Sequence, residues 1–520
     1  MSTDFSNAKV YKLDGTNLTI DKIYEISNAK VGEIKVELTE DSKKKIQSSR
    51  KFVDDIVDKG EPVYGINTGF GALSSKHIEK KDLSQLQYNL IRSHCTGVGA
   101  PFPRLTTRAI MLLRANCLAS GYSGVSPEII DLLFDFINYD IAPVVPEKGS
   151  VGASGDLAPL SHIALALIGE GDVIYDGKVI KSEFAIHQIN KKPVGLKAKD
   201  GLALINGTAV MAALGSLALY EAKHIVKIAD IATALTLEAV RGTKIAYDSD
   251  ISSLKPQPGQ IKVSKNLTNL LSEESEISKS HIDCGKVQDP YSLRCVPQVH
   301  GAIRQTLNHA YDVLNVEINS VTDNPLIFVE KNKVISGGNF HGEAIALCMD
   351  YLSMGLSEIA NISERRVEKM MNPTFSDLPA FLIKESGLNS GLMIAHVTMA
   401  ALASENKYLC HPASVDSIPT STDKEDHVSM GVTSGRKLHE VLRNVKNCLA
   451  IEFLCNTQGL DLLRPLKSNK ALESVYDLIR KHVRPIEQDR VFSHDINKIT
   501  QLVSNFEILK AVEEKIGELE

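Results

Sequence analysis

Gly149-Ser150-Val151-Gly152-Ala153-Ser154-Gly155-Asp156-Leu157-Ala158-Pro159-Leu160 is the stretch on which the reading of this chain turns. Glycines at 149, 152 and 155, two serines and Ala153 form a loop-like run with little bulk, and an apolar helical pattern follows from Leu157 to Ile168. A glycine-rich loop opening a helix can bind phosphate through free backbone N–H groups. The spacing here is neither G-x-G-x-x-G nor G-x-x-x-x-G-K-[ST], and no lysine follows. A serine nucleophile on a strained turn would need G-x-S-x-G, but position 156 is Asp156. A third chemistry is covalent: the Gly155 nitrogen attacks the Ala153 carbonyl carbon and closes a five-membered ring. Small residues let the chain bend back on itself, and glycine has no Cβ to block the approach. Loss of two waters, one carrying the Ser154 oxygen, would leave an exocyclic methylidene on an imidazolone, an electrophile made from the chain itself. From these twelve residues alone the plainer reading, a Gly/Ser turn capping a helix, would win, so the rest of the chain must decide.

The surroundings are those of a globular, mainly helical protein. With 520 residues the chain can build a large core or two to three domains. The net charge of -6 comes with no basic block, which argues against nucleic acid or an anionic membrane as a partner. Aromatics are only 5% and Trp is absent, so the core must be mostly aliphatic, as suits closely packed helices. The cysteines, at 95, 117, 284, 295, 348, 410, 448 and 455, include no C-x-x-C pair and read as reduced thiols of a cytoplasmic protein. The first residues, Met-Ser-Thr-Asp-Phe-Ser, show no signal pattern. Gly201 to Tyr220 is uncharged and long enough to span a membrane, but it contains Asn206, Gly207, Thr208, Gly215 and Ser216. It reads as a buried bundle helix.

Along the chain, Val10–Gly15 and Leu18–Ile20 are expected to pair as short strands. Ser42 to Lys59 reads as an amphipathic helix, and further helices are expected at 82–93, 105–119 and 127–138. Between them lies the glycine-dense loop Tyr64-Gly65-Ile66-Asn67-Thr68-Gly69-Phe70-Gly71, of the kind that positions a functional group. Val173–Ile180 reads as a hairpin on Asp176-Gly177, and Leu326–Ile335 as another. Long helices are expected at 207–245, 298–319, 342–370, 390–408 and 432–458, with 409–427 a loop. The expected fold is mainly α: a long central helical bundle with a smaller N-terminal part of loops and short β hairpins. The expected division is 1–200, carrying the Gly-rich and Tyr loops, and 201–520, the central and C-terminal bundle, with oligomerisation through its Ala/Leu faces.

Polar residues in apolar or Gly-rich settings are the candidates for chemistry. They are Tyr64, His94, Asn206, Gln288, Tyr291, Arg294, Phe340 with His341, and Glu425-Asp426-His427. Each has a plainer reading: a helix-ending His as a dipole partner, an Asn before Gly as a turn, an Arg in a loop as solvated. His341-Gly342-Glu343 has the H-x-E of zinc deaminases, but there is no P-C-x-x-C. Glu425-Asp426-His427 has ligand types but no second cluster in sequence, so no metal is expected.

Taken together, Tyr64–Gly71, Gly149–Leu160, Gly201–Thr208, Val287–Arg294, Gly337–Glu343 and Glu425–Met430 resemble the motifs of the aromatic amino acid ammonia-lyases, in the family's order, from about residue 60 to 500. Within the family, Ser93-His94, Glu425 and Phe340-His341-Gly342-Glu343 are similar to the histidine branch. An imidazole ring needs polar partners that a carboxylate and a second imidazole supply, whereas a benzyl ring would want an apolar pocket. Lys424, Val296 and Gln257 depart from the residues common in bacterial members, outside the positions assigned to chemistry.

The resemblance implies the covalent reading of the opening loop. Ala153-Ser154-Gly155 would become 4-methylidene-imidazol-5-one (MIO) autocatalytically, with no metal and no dissociable cofactor. It implies a mostly helical homotetramer whose active sites combine residues of three subunits. The reaction it implies is elimination of ammonia from L-histidine to trans-urocanate, the first step of histidine degradation. A phenylalanine/tyrosine ammonia-lyase or an MIO aminomutase is the alternative. In this reading Tyr64 is the base for the β-proton, and Tyr291 and Asn206 orient the carboxylate and the electrophile. Arg294 grips the carboxylate, Gln288 supports the MIO or the neighbouring tyrosine, His94 and Glu425 read the imidazole, Phe340 packs on the substrate, and Asp156 assists ring closure.

Overall fold

Residues 5–69, 71–73, 75–282 and 285–520 are described by the computed structural model. Phe70 of the tyrosine loop and Cys284 lie outside the described residues. The fold is mainly α, with short two- and three-stranded sheets. It forms two compact units, and the chain divides differently from a single cut at residue 200. The first comprises Met1–Tyr220, Tyr311–Met349 and Pro412–Arg436; the second comprises Glu221–Ala310, Asp350–His411 and Lys437–Glu520. The division is interleaved because it falls inside the long helices Ala209–Ala239, Val296–Glu317, Glu343–Met371 and Gly431–Leu463.

In the first unit the expected helices form as Glu40–Lys59, Leu83–His94, Arg104–Ala119, Pro127–Asn138 and Leu157–Leu167. Thr39 caps the first of these by accepting from the Ser42 N–H, and Gly60 closes it in the left-handed region at φ 74°. The hairpin Asp172–Tyr175/Lys178–Lys181 is antiparallel, turning on Asp176 and Gly177 at φ 49° and 70°. Leu326–Phe328 and Lys333–Ile335 form the other hairpin. The pairing expected between Val10–Gly15 and Leu18–Ile20 does not form. Thr19 instead caps the helix Ile20–Asn28 through its side chain, and Lys9–Leu13 pairs in parallel with Ile34–Leu38.

The helix expected over 207–245 forms as Ala209–Ala239, but the uncharged run from Gly201 to Tyr220, read as one buried helix, is interrupted. Asp200–Ile205 is a short helix, Asn206-Gly207-Thr208 breaks it, and Ala209–Ala239 begins anew. Gly207 sits at φ 147°, and a Cβ there would lie 2.3 Å from the Thr322 carbonyl oxygen and 2.4 Å from Arg114 Nη1. The short helix is held from both ends by buried polar contacts. Asp200 accepts from the Ser126 N–H and hydroxyl, each at 2.8 Å, and Arg114 Nε donates to the Ala203 carbonyl at 2.8 Å. Ala209–Ala239 is long and apolar enough to cross a membrane, yet 78% of its apolar window is buried inside the protein, as in a core helix.

The second unit packs Pro258–Leu270, Met393–Leu409, Lys470–His482, Phe492–Ser504 and Glu507–Ile516. At its centre Arg366 and Glu452 form a fully buried pair, with the Ser363 and Thr236 hydroxyls donating to the same carboxylate. No disulfide joins any cysteines among the described residues.

Candidate active site

The Gly149–Leu160 loop is tied down by its own serine and aspartate. The Ser150 hydroxyl accepts from the Gly152 N–H at 3.1 Å and donates to Asp156 Oδ1 at 3.2 Å. The Asp156 N–H donates to the Gly207 carbonyl at 2.8 Å, and Gly155 and Gly207 pair as an isolated parallel bridge. Asp156 Oδ2 accepts from the Val210 and Met211 N–H groups at 2.9 and 3.0 Å, capping the first turn of Ala209–Ala239. Burial pushes its carboxyl up to about 7, against the pull of those backbone donors. The serine-nucleophile reading lapses, since the hydroxyl of Ser154 donates to Glu425 rather than to an imidazole.

The loop is bent where small residues are required. Ser154 adopts φ 50°, in the left-handed region that non-glycine residues rarely enter. Gly155 follows at φ 83°, and a Cβ there would stand 2.2 Å from the Gly207 oxygen; at Gly152 it would stand 2.3 Å from Ser429 Oγ. The Gly155 N–H makes only a long contact, 3.4 Å, with the Gly152 carbonyl.

Around this bend the first unit gathers several of the expected residues. Ser154 Oγ donates to Glu425 Oε1 at 2.8 Å, and Thr420 Oγ1 donates to Glu425 Oε2 at 2.8 Å. His94 ends Leu83–His94, with Nδ1 3.0 Å from Ser93 Oγ. Burial holds its imidazole below the usual value, and the charge of Glu425 opposes that shift, so the two groups share one electrostatic neighbourhood. Asn206 is 4% exposed, and its buried Oδ1 has no hydrogen-bond partner among the described residues. It directly precedes Gly207, whose backbone pairs with Gly155. An orphaned buried acceptor beside a strained Ala-Ser-Gly bend fits a prosthetic group or substrate that supplies a donor.

Tyr64 stands at the start of a turn whose Ile66 is fully buried in a cluster with Val53, Leu83, Ala198 and Ile327. Asn67 Oδ1 accepts from the Val63 N–H at 2.7 Å, and its Nδ2 donates to the Glu61 carbonyl at 2.8 Å, closing the turn. Gly65, at φ 74°, is needed because a Cβ would lie 2.6 Å from Pro325 Cδ. Tyr64 itself is half-buried.

Phe340 is half-buried, and the His341 beside it stacks on His427 with ring centroids 5.8 Å apart and planes 9° from parallel. His341, Glu343 and His427 each offer one ligand atom within 4.8 Å of the others, and the buried Glu343 Oε2, 3.9 Å from His427 Nε2, has no hydrogen-bond partner among the described residues. The second cluster that Glu425-Asp426-His427 lacks in sequence is thus supplied in space by the H-x-E pair.

Gln288, Tyr291 and Arg294 belong to the second unit. There the Arg294 guanidinium lies over the Tyr291 ring at 4.4 Å, and its Nε donates to the Asp289 carbonyl at 3.0 Å. Tyr291 is 70% exposed and Gln288 is exposed. Sequence reasoning did not reach the supporting residues Ser150, Gly207, Thr420 and Ser429. The run Asn206-Gly207-Thr208, a Gly inside a helical pattern, was the one available signal.

Residues 18–481 match the family model for aromatic amino acid lyases, and the chain belongs to that family. It is 49% identical over 500 residues to the histidine ammonia-lyase of Myxococcus xanthus, covering 96% of this chain and 98% of the relative. Its structure is similar to that of histidine ammonia-lyase from Trypanosoma cruzi, with a TM-score of 0.89 at 43% identity, covering 97% and 95% of the two chains. A tyrosine aminomutase from Streptomyces globisporus is similar at a TM-score of 0.91 and 36% identity, covering 99% and 100%.

Proposed function

We propose that this chain eliminates ammonia from L-histidine to give trans-urocanate, as the first step of histidine degradation in the cytoplasm. The observation that carries the reading is the hydrogen bond from Ser154 to Glu425, with His94 within the field of that carboxylate. A carboxylate and an imidazole stand there with polar atoms for a substrate imidazole. Ala153-Ser154-Gly155 is read as the source of MIO, whose methylidene carbon supplies an electrophile for the amine or the ring of the substrate. Support comes from the left-handed Ser154 and from Gly155 pressed against Gly207.

The remaining work falls to the chain's own side chains. Tyr64 removes the β-proton as the general base. Arg294 binds the substrate carboxylate through its planar fork, with Tyr291 and Asn206 orienting it. Gln288 supports Tyr291 or the electrophile, and Phe340 packs on the substrate. We read the protein as a homotetramer in which each active site draws on three subunits. The exposure of Gln288 and Tyr291 on a single chain accords with this.

Incubation with L-histidine, L-phenylalanine and L-tyrosine tests the proposal by the ultraviolet absorbance of the products. Urocanate formed from histidine, with little cinnamate or coumarate from the other two, is expected. A preference for phenylalanine or tyrosine, or β-amino acid as the product, would assign the chain to the aminomutases and lyases of those substrates.

A further inference from the structure

We infer that Glu425 has a second task, earlier than any turnover: it is the acid that carries off the Ser154 oxygen when the loop matures. The inference rests on the imidazolone reading above. The two acids near the bend are already divided by their contacts. Asp156 has both oxygens committed, Oδ1 to Ser150 and Oδ2 to the Val210 and Met211 amides. Glu425 Oε1 is the group hydrogen-bonded to the Ser154 hydroxyl, at 2.8 Å.

Its position is also fixed independently of Ser154. Thr420 and Glu425 exchange backbone hydrogen bonds, N–H of Thr420 to the Glu425 carbonyl at 2.9 Å and the return bond at 3.3 Å. The Thr420 hydroxyl then holds the far carboxylate oxygen at 2.8 Å. The carboxyl is thereby presented to the leaving oxygen with little freedom to turn away, the geometry a general acid requires.

The step balances without an oxidant. The Cα–H electron pair of Ser154 becomes the Cα=Cβ double bond, and the Cβ–Oγ bond breaks. Glu425 Oε1 first takes up a proton from solvent, the Ser154–Glu425 hydrogen bond reverses direction, and Oγ departs as water with that proton. The Cα proton passes to solvent water, replacing the one taken up, and the carboxylate is left ionised as it began. One water is lost in this step, in addition to the one lost when the Gly155 nitrogen bonds to the Ala153 carbonyl carbon.

The test is mass spectrometry of the full-length protein and of its loop peptide, for wild type, E425Q and E425D, each checked for folding by circular dichroism. Gln is isosteric, accepting from one of the two hydroxyls through its amide oxygen and donating to the other through its amide nitrogen, but it delivers no acidic proton; Asp keeps the acid on a shorter arm. A wild-type loop two waters lighter, an E425Q loop one water lighter with the second loss slowed about a hundredfold or more, and an E425D loop that completes both losses are expected. An E425Q loop two waters lighter at the wild-type rate overturns the assignment. So does an E425Q loop at full mass, which would put Glu425 at ring closure instead. A wild-type loop at full mass overturns the imidazolone reading itself, and the assignment falls with it.

Discussion

Asp156 ties the reactive loop to the start of a core helix, and its charge state should set how firmly. The informative perturbation is Asp156→Asn. Folding raises this carboxyl from 3.8 to about 7. A group with a raised folded-state value binds protons more tightly in the native state, so its contribution is fully present below 3.8 and is lost as pH rises to about 7. At about 1.4 kcal/mol per pH unit, the loss across that window is about 4 kcal/mol. The side chain is fully buried, so solvent screening does not reduce this figure. Asn does not ionise. Its oxygen can still accept from the Val210 and Met211 amides, and its nitrogen can donate to the Ser150 hydroxyl. Denaturant unfolding of wild type and variant between pH 4 and 9, taken as a difference so that other titrating groups cancel, should show the variant gaining on wild type by about 4 kcal/mol as pH rises. A difference that stays flat with pH would refute the claim that burial raises the Asp156 carboxyl where it caps this helix.

The other expectations follow from the same geometry. Tyr64→Phe should lower turnover about a hundred- to ten-thousandfold while histidine binding persists, measured by steady-state kinetics and by calorimetric titration; full activity removes Tyr64 as the base. Exchanging His94 for Leu should weaken histidine relative to phenylalanine in kcat/KM, and an unchanged preference places selectivity elsewhere. Gly207→Ala should destabilise by about 1–3 kcal/mol or more, because its Cβ would meet the Thr322 oxygen at 2.3 Å; a thermal midpoint equal to wild type contradicts the close packing behind Asn206.

The parts of the fold that lie close together along the chain are the parts its sequence discloses. Asp176-Gly177 announces a hairpin because two adjacent residues must both take positive φ, and the periodic helices from Glu40 to Leu167 announce themselves by their apolar faces. The misreading of Leu18–Ile20 has the same origin. Its β-branched residues look like a strand, but Thr19 serves as a cap, and the true partner of Lys9–Leu13 lies beyond an intervening helix. The break at Gly207 is hidden inside the uncharged run because its reason is a backbone pairing with Gly155, which no local pattern shows. The site is divided in the same way. Ala153-Ser154-Gly155 and the tyrosine loop are conspicuous as segments. The bond between Ser154 and Glu425 joins residues 271 positions apart, and the approach of His341 and Glu343 to His427 is likewise a product of tertiary packing alone.

The central claim is that this chain makes its electrophile from its own backbone at Ala153–Gly155. The mass of the intact, purified protein tests it most directly, compared with that of Ser154→Ala. The account predicts a wild-type chain lighter than its sequence by two waters, with imidazolone absorbance. It predicts a folded Ser154→Ala chain that has not lost the second water and whose activity is lower by several orders of magnitude. A wild-type chain at its full sequence mass that nevertheless turns over histidine, or a Ser154→Ala chain with near-normal turnover, would contradict it.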